Sequence, residues 1–159
     1  MGAQEGLSSG RGLRDFVTNI RLGKSYIERA LGRLPFLRQM QEAGLHADVV
    51  RESQEVVELA LKGLLRIVGL DPPKEHDASK FMTREAQRLP KSVVEHLAEI
   101  RRMSKRLRRE RELAFYGDED FVPSDEYDRD DSSEAIQFAE AIVAWVDAGL
   151  NDVETGHST

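Results

Sequence analysis

The sequence predicts an all-α protein, an antiparallel bundle of four long helices plus one short helix. Apolar residues recur at three- and four-residue steps through most of the chain, and strand pairs joined by turn residues are absent. Gly and Pro fall at the ends of these periodic runs and divide the chain into its helices. At 159 residues the chain is one domain by size, long enough to bury a sizeable core. Residues 1–12 are rich in Gly and Ser and are expected to be disordered; the bundle is expected over 13–150, with a flexible tail at 151–159.

The first helix places Leu13, Phe16, Ile20, Ile27, Leu31 and Leu34 on one stripe. Pro35 is expected to end or kink it near Arg33, because proline lacks an N–H donor and clashes with the preceding turn. Any further turns stop at Gly44. The second helix is the clearest: Val49, Ser53, Val56, Val57, Ala60, Leu61, Leu64, Leu65 and Val68 share a face, and Gly69 closes it before Asp71-Pro72-Pro73. The short helix spans about Ala78–Arg88. Pro90 opens what should be the longest helix, carrying Val93, Leu97, Ile100, Ser104, Leu107, Arg111 and Ala114 along one face to Gly117. An acidic loop fills 118–131. Asp131 and Glu134 have the spacing of a capping box, followed by Ala135, Phe138, Ala139, Ile142, Val143 and Val146 up to Gly149.

Composition removes several classes of chemistry. There is no Cys, which excludes disulfides, thiolate nucleophiles and Cys-ligated metals. The His residues, at 46, 76, 96 and 157, lack metal-ligand spacing, and no phosphate-cradling Gly loop, GxSxG elbow or HExxH occurs. No metal, cofactor or catalytic residue is therefore assigned. His76-Asp77 reads as the cap of the short helix, His96 as a solvated or rim residue, and Ser53 and Ser104 as small groups at close helix contacts. The opening MGAQEGLSSGRG has no apolar core for a signal peptide, and Gly6 stands where a myristoylation motif wants Ser or Thr. No run of 18 apolar residues occurs, so no membrane segment is expected and a cytoplasmic location is.

Charge carries the functional signal. Between Arg101 and Arg111 seven of eleven residues are Arg or Lys, whereas Asp118–Glu134 holds nine acidic residues against one Arg. A net charge of −6 argues against a general nucleic-acid coat protein but leaves a local basic patch free to act. Positions 101, 105 and 108 form one strip of the helix, and 102, 106 and 109 the adjacent one. Arg111 follows Leu107 at i+4, nearer the apolar face, where its guanidinium must snorkel, pair with a carboxylate or hold a phosphate. Tyr116 can stack on a base or close the core. Three uses of the cluster stand open: internal pairing with the 118–131 loop, RNA or nucleotide binding, and a protein partner.

The run DVVRESQEVVELALKGLLRIVGLDPPKEHD (Asp48–Asp77), the Arg-rich helix ending RERELAFYGD and the terminal SSEAIQFAEAIVAWV together resemble the HEPN family, the higher eukaryotes and prokaryotes nucleotide-binding domain. The resemblance covers about residues 15–150. It implies an antiparallel helical bundle that often dimerises, is commonly encoded beside a small nucleotidyltransferase, and in many members is a metal-independent, often toxin-like ribonuclease. The nuclease signature is an Arg followed after four to six residues by a His. Matched here, the Arg is Arg109 or Arg111, and the positions for His hold Ala114, Phe115 and Tyr116, or Tyr116, Gly117 and Asp118. Cleavage through a 2′-hydroxyl wants a base near neutral pH, which neither a phenol nor a solvated carboxylate supplies.

The expectation is thus a non-catalytic, homodimeric HEPN-like protein that binds a nucleotide or RNA. Arg109, Arg111 and neighbouring Arg residues would hold phosphate, Tyr116 would flank the base, and Asp118 would orient an Arg or a ribose hydroxyl. A nucleotidyltransferase is the implied partner. The alternatives are a ribonuclease with a displaced base, supplied by a His of a dimer mate such as His76 or His96, and a protein-binding homodimeric scaffold.

Overall fold

The computed structural model describes residues 5–72, 74 and 77–156, with side chains described from Asn19 onward. Its elements are α1 (Glu5–Glu42), α2 (His46–Ile67), α3 (Ala78–Arg84), a 3₁₀ turn (Ala86–Arg88), α4 (Lys91–Val94), α5 (Leu97–Tyr116), α6 (Pro123–Glu126) and α7 (Arg129–Gly156). No strand occurs among the described residues, and the all-α expectation holds.

α2 occupies the centre and packs against α1, α5 and α7. It can do so because its apolar residues occupy more than one stripe: Val49, Val56, Ala60, Leu61, Leu64 and Leu65 are fully buried. Ile27, Ala30 and Leu37 cover it from α1, Ile100 and Leu107 from α5, and Ala139, Ile142, Val143 and Val146 from α7. Each buried aliphatic side chain contributes about 1.5–3 kcal/mol. Gly69, at φ +82°, ends α2 with a paired set of bonds, its N–H to the Arg66 carbonyl and the Leu70 N–H to the Leu65 carbonyl.

Several boundaries differ from the sequence reading. Pro35 lies inside α1, which continues to Glu42. The turns beyond it are held by burial of Leu37, by Arg38 on Glu140 of α7 at 2.8 Å, and by Gln41 on Ser132 at 2.8 Å. These contacts offset the lost hydrogen bond. α1 also extends back to Glu5, across part of the segment expected to be disordered, since no Pro interrupts the chain before Pro35; residues 1–4 lie outside the described residues. The single helix expected from Pro90 to Gly117 is broken at Glu95–His96. There the His96 ring stacks on Trp145 of α7, centroids 4.1 Å apart and planes 6° off parallel, so His96 is a packed residue. The short helix ends at Arg84 and passes into the 3₁₀ turn.

The acidic connector contains α6, with Pro123 at its start, and an isolated bridge between Asp118 and Phe121. α7 begins at Arg129, and its cap lies three residues before the expected Asp131. The Asp131 N–H donates to Asp128 Oδ1 and the Asp128 N–H to Asp131 Oδ2, a reciprocal box in which Asp128 is the cap. Those bonds hold the Asp128 carboxyl below its usual range. α7 also runs through Gly149 to Gly156, into the stretch expected to be a flexible tail; residues 157–159 lie outside the described residues. Gly149 is a contact residue instead of a stop, because a Cβ there would come within 3.2 Å of Pro90 and Ser92 side-chain atoms.

The α1–α2 crossing is closer still. A Cβ on Gly63 would lie 2.7 Å from the Gly23 carbonyl oxygen, and one on Gly23 would lie 2.6 Å from that of Gly63. Gly63→Ala is therefore expected to lose about 1–3 kcal/mol in urea unfolding by forcing the two helices apart. Gly32→Ala, with nothing within 4 Å of the new methyl, should instead gain up to about 1 kcal/mol from helix propensity.

Candidate functional site

α5 presents the basic run in two chemically different groups. The first group is consumed inside the chain. Arg111 Nη2 lies 2.5 Å from Glu55 Oε1 on α2, Arg108 lies 3.9 Å from Asp77 at the cap of α3, and Arg106 pairs with Glu134 on α7. All three pairs are partly exposed, so each is worth at most about 1 kcal/mol. They fix which way the guanidinium groups point. Arg102 lies over the Phe138 ring, 5.6 Å from its centroid. Internal pairing thus occurs, but with α2, α3 and α7; among the described residues no carboxylate of 118–131 lies within salt-bridge distance of α5. The connector is fastened differently. Tyr127 donates from its hydroxyl to Glu110 Oε2 at 2.7 Å, and burial followed by that carboxylate pushes the phenol well above its usual range.

The second group is Arg101, Lys105 and Arg109, all exposed and without an ion-pair partner among the described residues. Arg101, Arg102 and Lys105 line a groove of about 490 Å³ together with Lys80 and Asp77 of the α3 region. Asp77 is held at its base, accepting from the Ser79 N–H at 2.9 Å and from the Ser79 hydroxyl at 2.7 Å. That capping role matches the sequence reading; His76 lies outside the described residues.

The four residues singled out from sequence do not form one cluster. Arg109 is exposed on the outer face of α5 with no ion-pair partner among the described residues, and Arg111 is tied to Glu55. Tyr116 is 78% exposed, its ring meeting Phe115 edge-on at 4.4 Å. Asp118 turns into the connector and accepts from the Asp120 N–H. Lys80, Arg101 and Arg102 were not singled out. Lys80 comes from α3, and nothing in its local sequence signals proximity to α5.

Residues 24–149 match the HEPN domain. The chain belongs to the HEPN domain family. No curated protein and no solved structure matches it. Membership ties this HEPN protein to nucleotide- or RNA-related function, in a family that commonly dimerises. No described helix is long and apolar enough to cross a membrane, and no metal-binding group of carboxylates and imidazoles occurs among the described residues. At the end of α5 and just beyond it, Ala114, Phe115, Tyr116, Gly117 and Asp118 occupy both sets of positions at which the sequence reading looks for a nuclease His. His46, at the start of α2, shares a pocket of about 260 Å³ with Ala114, Phe115, Ser124 and Tyr127. Its Nδ1 is 2.9 Å from the Ser132 hydroxyl, which also accepts from Gln41.

Beneath the α5 cations lies Glu58 on α2. Burial raises its carboxyl above the usual range, opposed by Lys62 and Arg108 and reinforced by Asp77 and Glu55. Its Oε1 has no hydrogen-bond partner among the described residues, while Lys62 stands 3.8 Å from Oε2. A carboxyl with a raised folded pKa favours folding below its unfolded value near 4.5, and that contribution is lost as pH rises through the folded value. Glu58→Gln removes this titration. The stability of the variant relative to the parent should become more favourable from acid to neutral pH, as read by urea midpoints across that range. An unchanged difference would refute the burial effect.

Proposed function

We propose that this HEPN protein binds nucleotides or RNA without cleaving them, holding phosphate on the unpaired cations of α5, and acts as the homodimeric partner of a small nucleotidyltransferase. One observation carries the binding reading. In a chain with 29 acidic and 23 basic residues, carboxylates are abundant, yet Arg101, Lys105 and Arg109 have no ion-pair partner among the described residues, and Arg101 and Lys105 line a groove with Lys80, Arg102 and Asp77. Arg109 keeps the phosphate-binding part expected from sequence, and Tyr116 the base-flanking part. Arg111 and Asp118 are already engaged, by Glu55 and by the Asp120 N–H, and are assigned to positioning α5 and its connector. The proposed lack of turnover is supported by positions 114–118 after Arg109 and Arg111, none of which is His.

Fluorescence titration with a labelled short RNA and with ATP tests this reading. Binding should weaken with salt, and replacing Arg101, Lys105 and Arg109 together by Ala should lower the slope of log affinity against log salt by about one per residue removed. The RNA should be recovered intact. An unchanged affinity in the triple variant refutes the site.

The second reading, a ribonuclease with a displaced base, draws on His46 sharing its pocket with Ala114 and Phe115. It requires metal-independent cleavage that His46→Ala abolishes.

A further inference from the structure

We propose that the ligand of α5 is an unpaired single strand of RNA lying lengthwise on the helix, its phosphates on Arg101, Lys105, Arg109 and Lys80 and one of its bases stacked on Tyr116. This rests on the phosphate-binding reading above and adds the form of the ligand and the direction in which it lies.

At 100° per residue, Arg101, Lys105, Arg109 and Tyr116 fall within about 80° of one another on α5, and the strip they form is about 22 Å long. The cations recur every turn, about 6 Å apart, and all are exposed. Lys80 reaches the same strip from α3, making one end a groove and leaving the rest an open ridge. A mononucleotide engages only the groove end. An extended polyanion engages the whole strip.

The strip changes character along its length. After Arg109 the same face carries Glu112, and beyond Tyr116 come Asp118 and Glu119. Asp77 is the acid within the groove. Phosphate is therefore favoured over the first half of α5 and disfavoured at its end, where the chain offers an aromatic ring instead. That ring is braced from behind: Phe115 meets it edge-on, and the Arg51 guanidinium lies 4.2 Å from the Phe115 centroid. A free aromatic face at the end of a cationic track selects an unpaired base, since a base within a duplex has its faces covered by its neighbours.

The experiment compares ATP, a single-stranded RNA of about eight nucleotides, within the span of single-strand sites, and a duplex of the same length, on the parent chain, Tyr116→Ala and Tyr116→Phe. The single strand should bind tightest on the parent chain. Tyr116→Ala should weaken it roughly five- to hundredfold, the loss expected of one stacked base, without changing the salt slope. Tyr116→Phe should restore strand binding. Tyr116 is exposed, so none of these changes is expected to disturb folding.

Equal affinity for strand and duplex, or no effect of Tyr116→Ala, overturns the proposal. Displacement of the RNA by polyglutamate at matched charge assigns the strip to an acidic protein partner and also overturns it. If ATP and the strand bind alike and both depend on Lys105, the phosphate site stands and the lengthwise track fails. If neither binds, the phosphate-binding reading itself fails.

Discussion

The burial of α2 between α1, α5 and α7 is the constraint on which the other features depend. A helix covered on three sides has one narrow edge left for polar groups, and in this chain that edge carries Glu52, Glu55, Glu58 and Lys62. Its apolar surface supplies most of the stabilisation. Its polar edge then sets what the neighbouring helices do with their charges. Arg33 of α1 donates to Glu52 at 2.9 Å, and Arg111 of α5 closes on Glu55. Close approach is possible because Gly23 and Gly63 let two backbones meet where side chains would hold them apart.

This edge divides the basic run of α5. Residues on the side facing α2 and the α3 cap, Arg108 and Arg111, find carboxylates, and Arg106 on the flank facing α7 finds Glu134. Residues on the outer side find none among the described residues. The partition follows from helical geometry, since a seven-cation run necessarily wraps around the helix and only part of it can face protein. Glu58 adds a second consequence. Its half-buried carboxyl stands among Lys62, Arg108, Asp77 and Glu55, so burial, which raises its pKa, is opposed by Lys62 and Arg108. A buried, incompletely bonded carboxyl is a source of instability that the surrounding packing has to offset.

The bundle was legible in the sequence where a single physical rule governed. α2 and its end were readable because helical periodicity and a left-handed Gly69 coincide. Boundaries were lost where two rules competed. Pro35 costs a helix interior about 3 kcal/mol locally, but Leu37, Arg38 and Gln41 make contacts with distant residues that hold the helix together, and those are invisible in sequence. Gly149 looks like a stop, and only the position of Pro90 against it reveals a contact residue. Asp128 and Asp131 both have capping chemistry, and the true cap is three residues earlier than the spacing with Glu134 suggested. Of the site, the basic run was readable, whereas Tyr116 was open between stacking on a base and closing the core, and only the structure places its ring in solvent. The partner of Arg111 was not readable, because Glu55 lies 56 positions away in sequence, and neither was the approach of Lys80 from α3.

The acidic connector had the charge to close over α5, and the reason it does not is local. A carboxylate already accepting hydrogen bonds is fixed in direction and gains less from swinging toward a distant guanidinium. Asp118 accepts from the Asp120 N–H, and Asp128 and Asp131 accept from each other's N–H groups to start α7. Tyr127 is buried against α5 with its hydroxyl on Glu110, which sets the path of the chain beside that helix. Pro123 starts α6 and commits the intervening residues to their own turn. Each of these short-range bonds forms at small entropic cost, whereas a salt bridge to an exposed Arg would order two long side chains for at most about 1 kcal/mol. Asp118, Asp128 and Asp131 are thus engaged in shaping the connector, and the outer cations of α5 stay open to solvent.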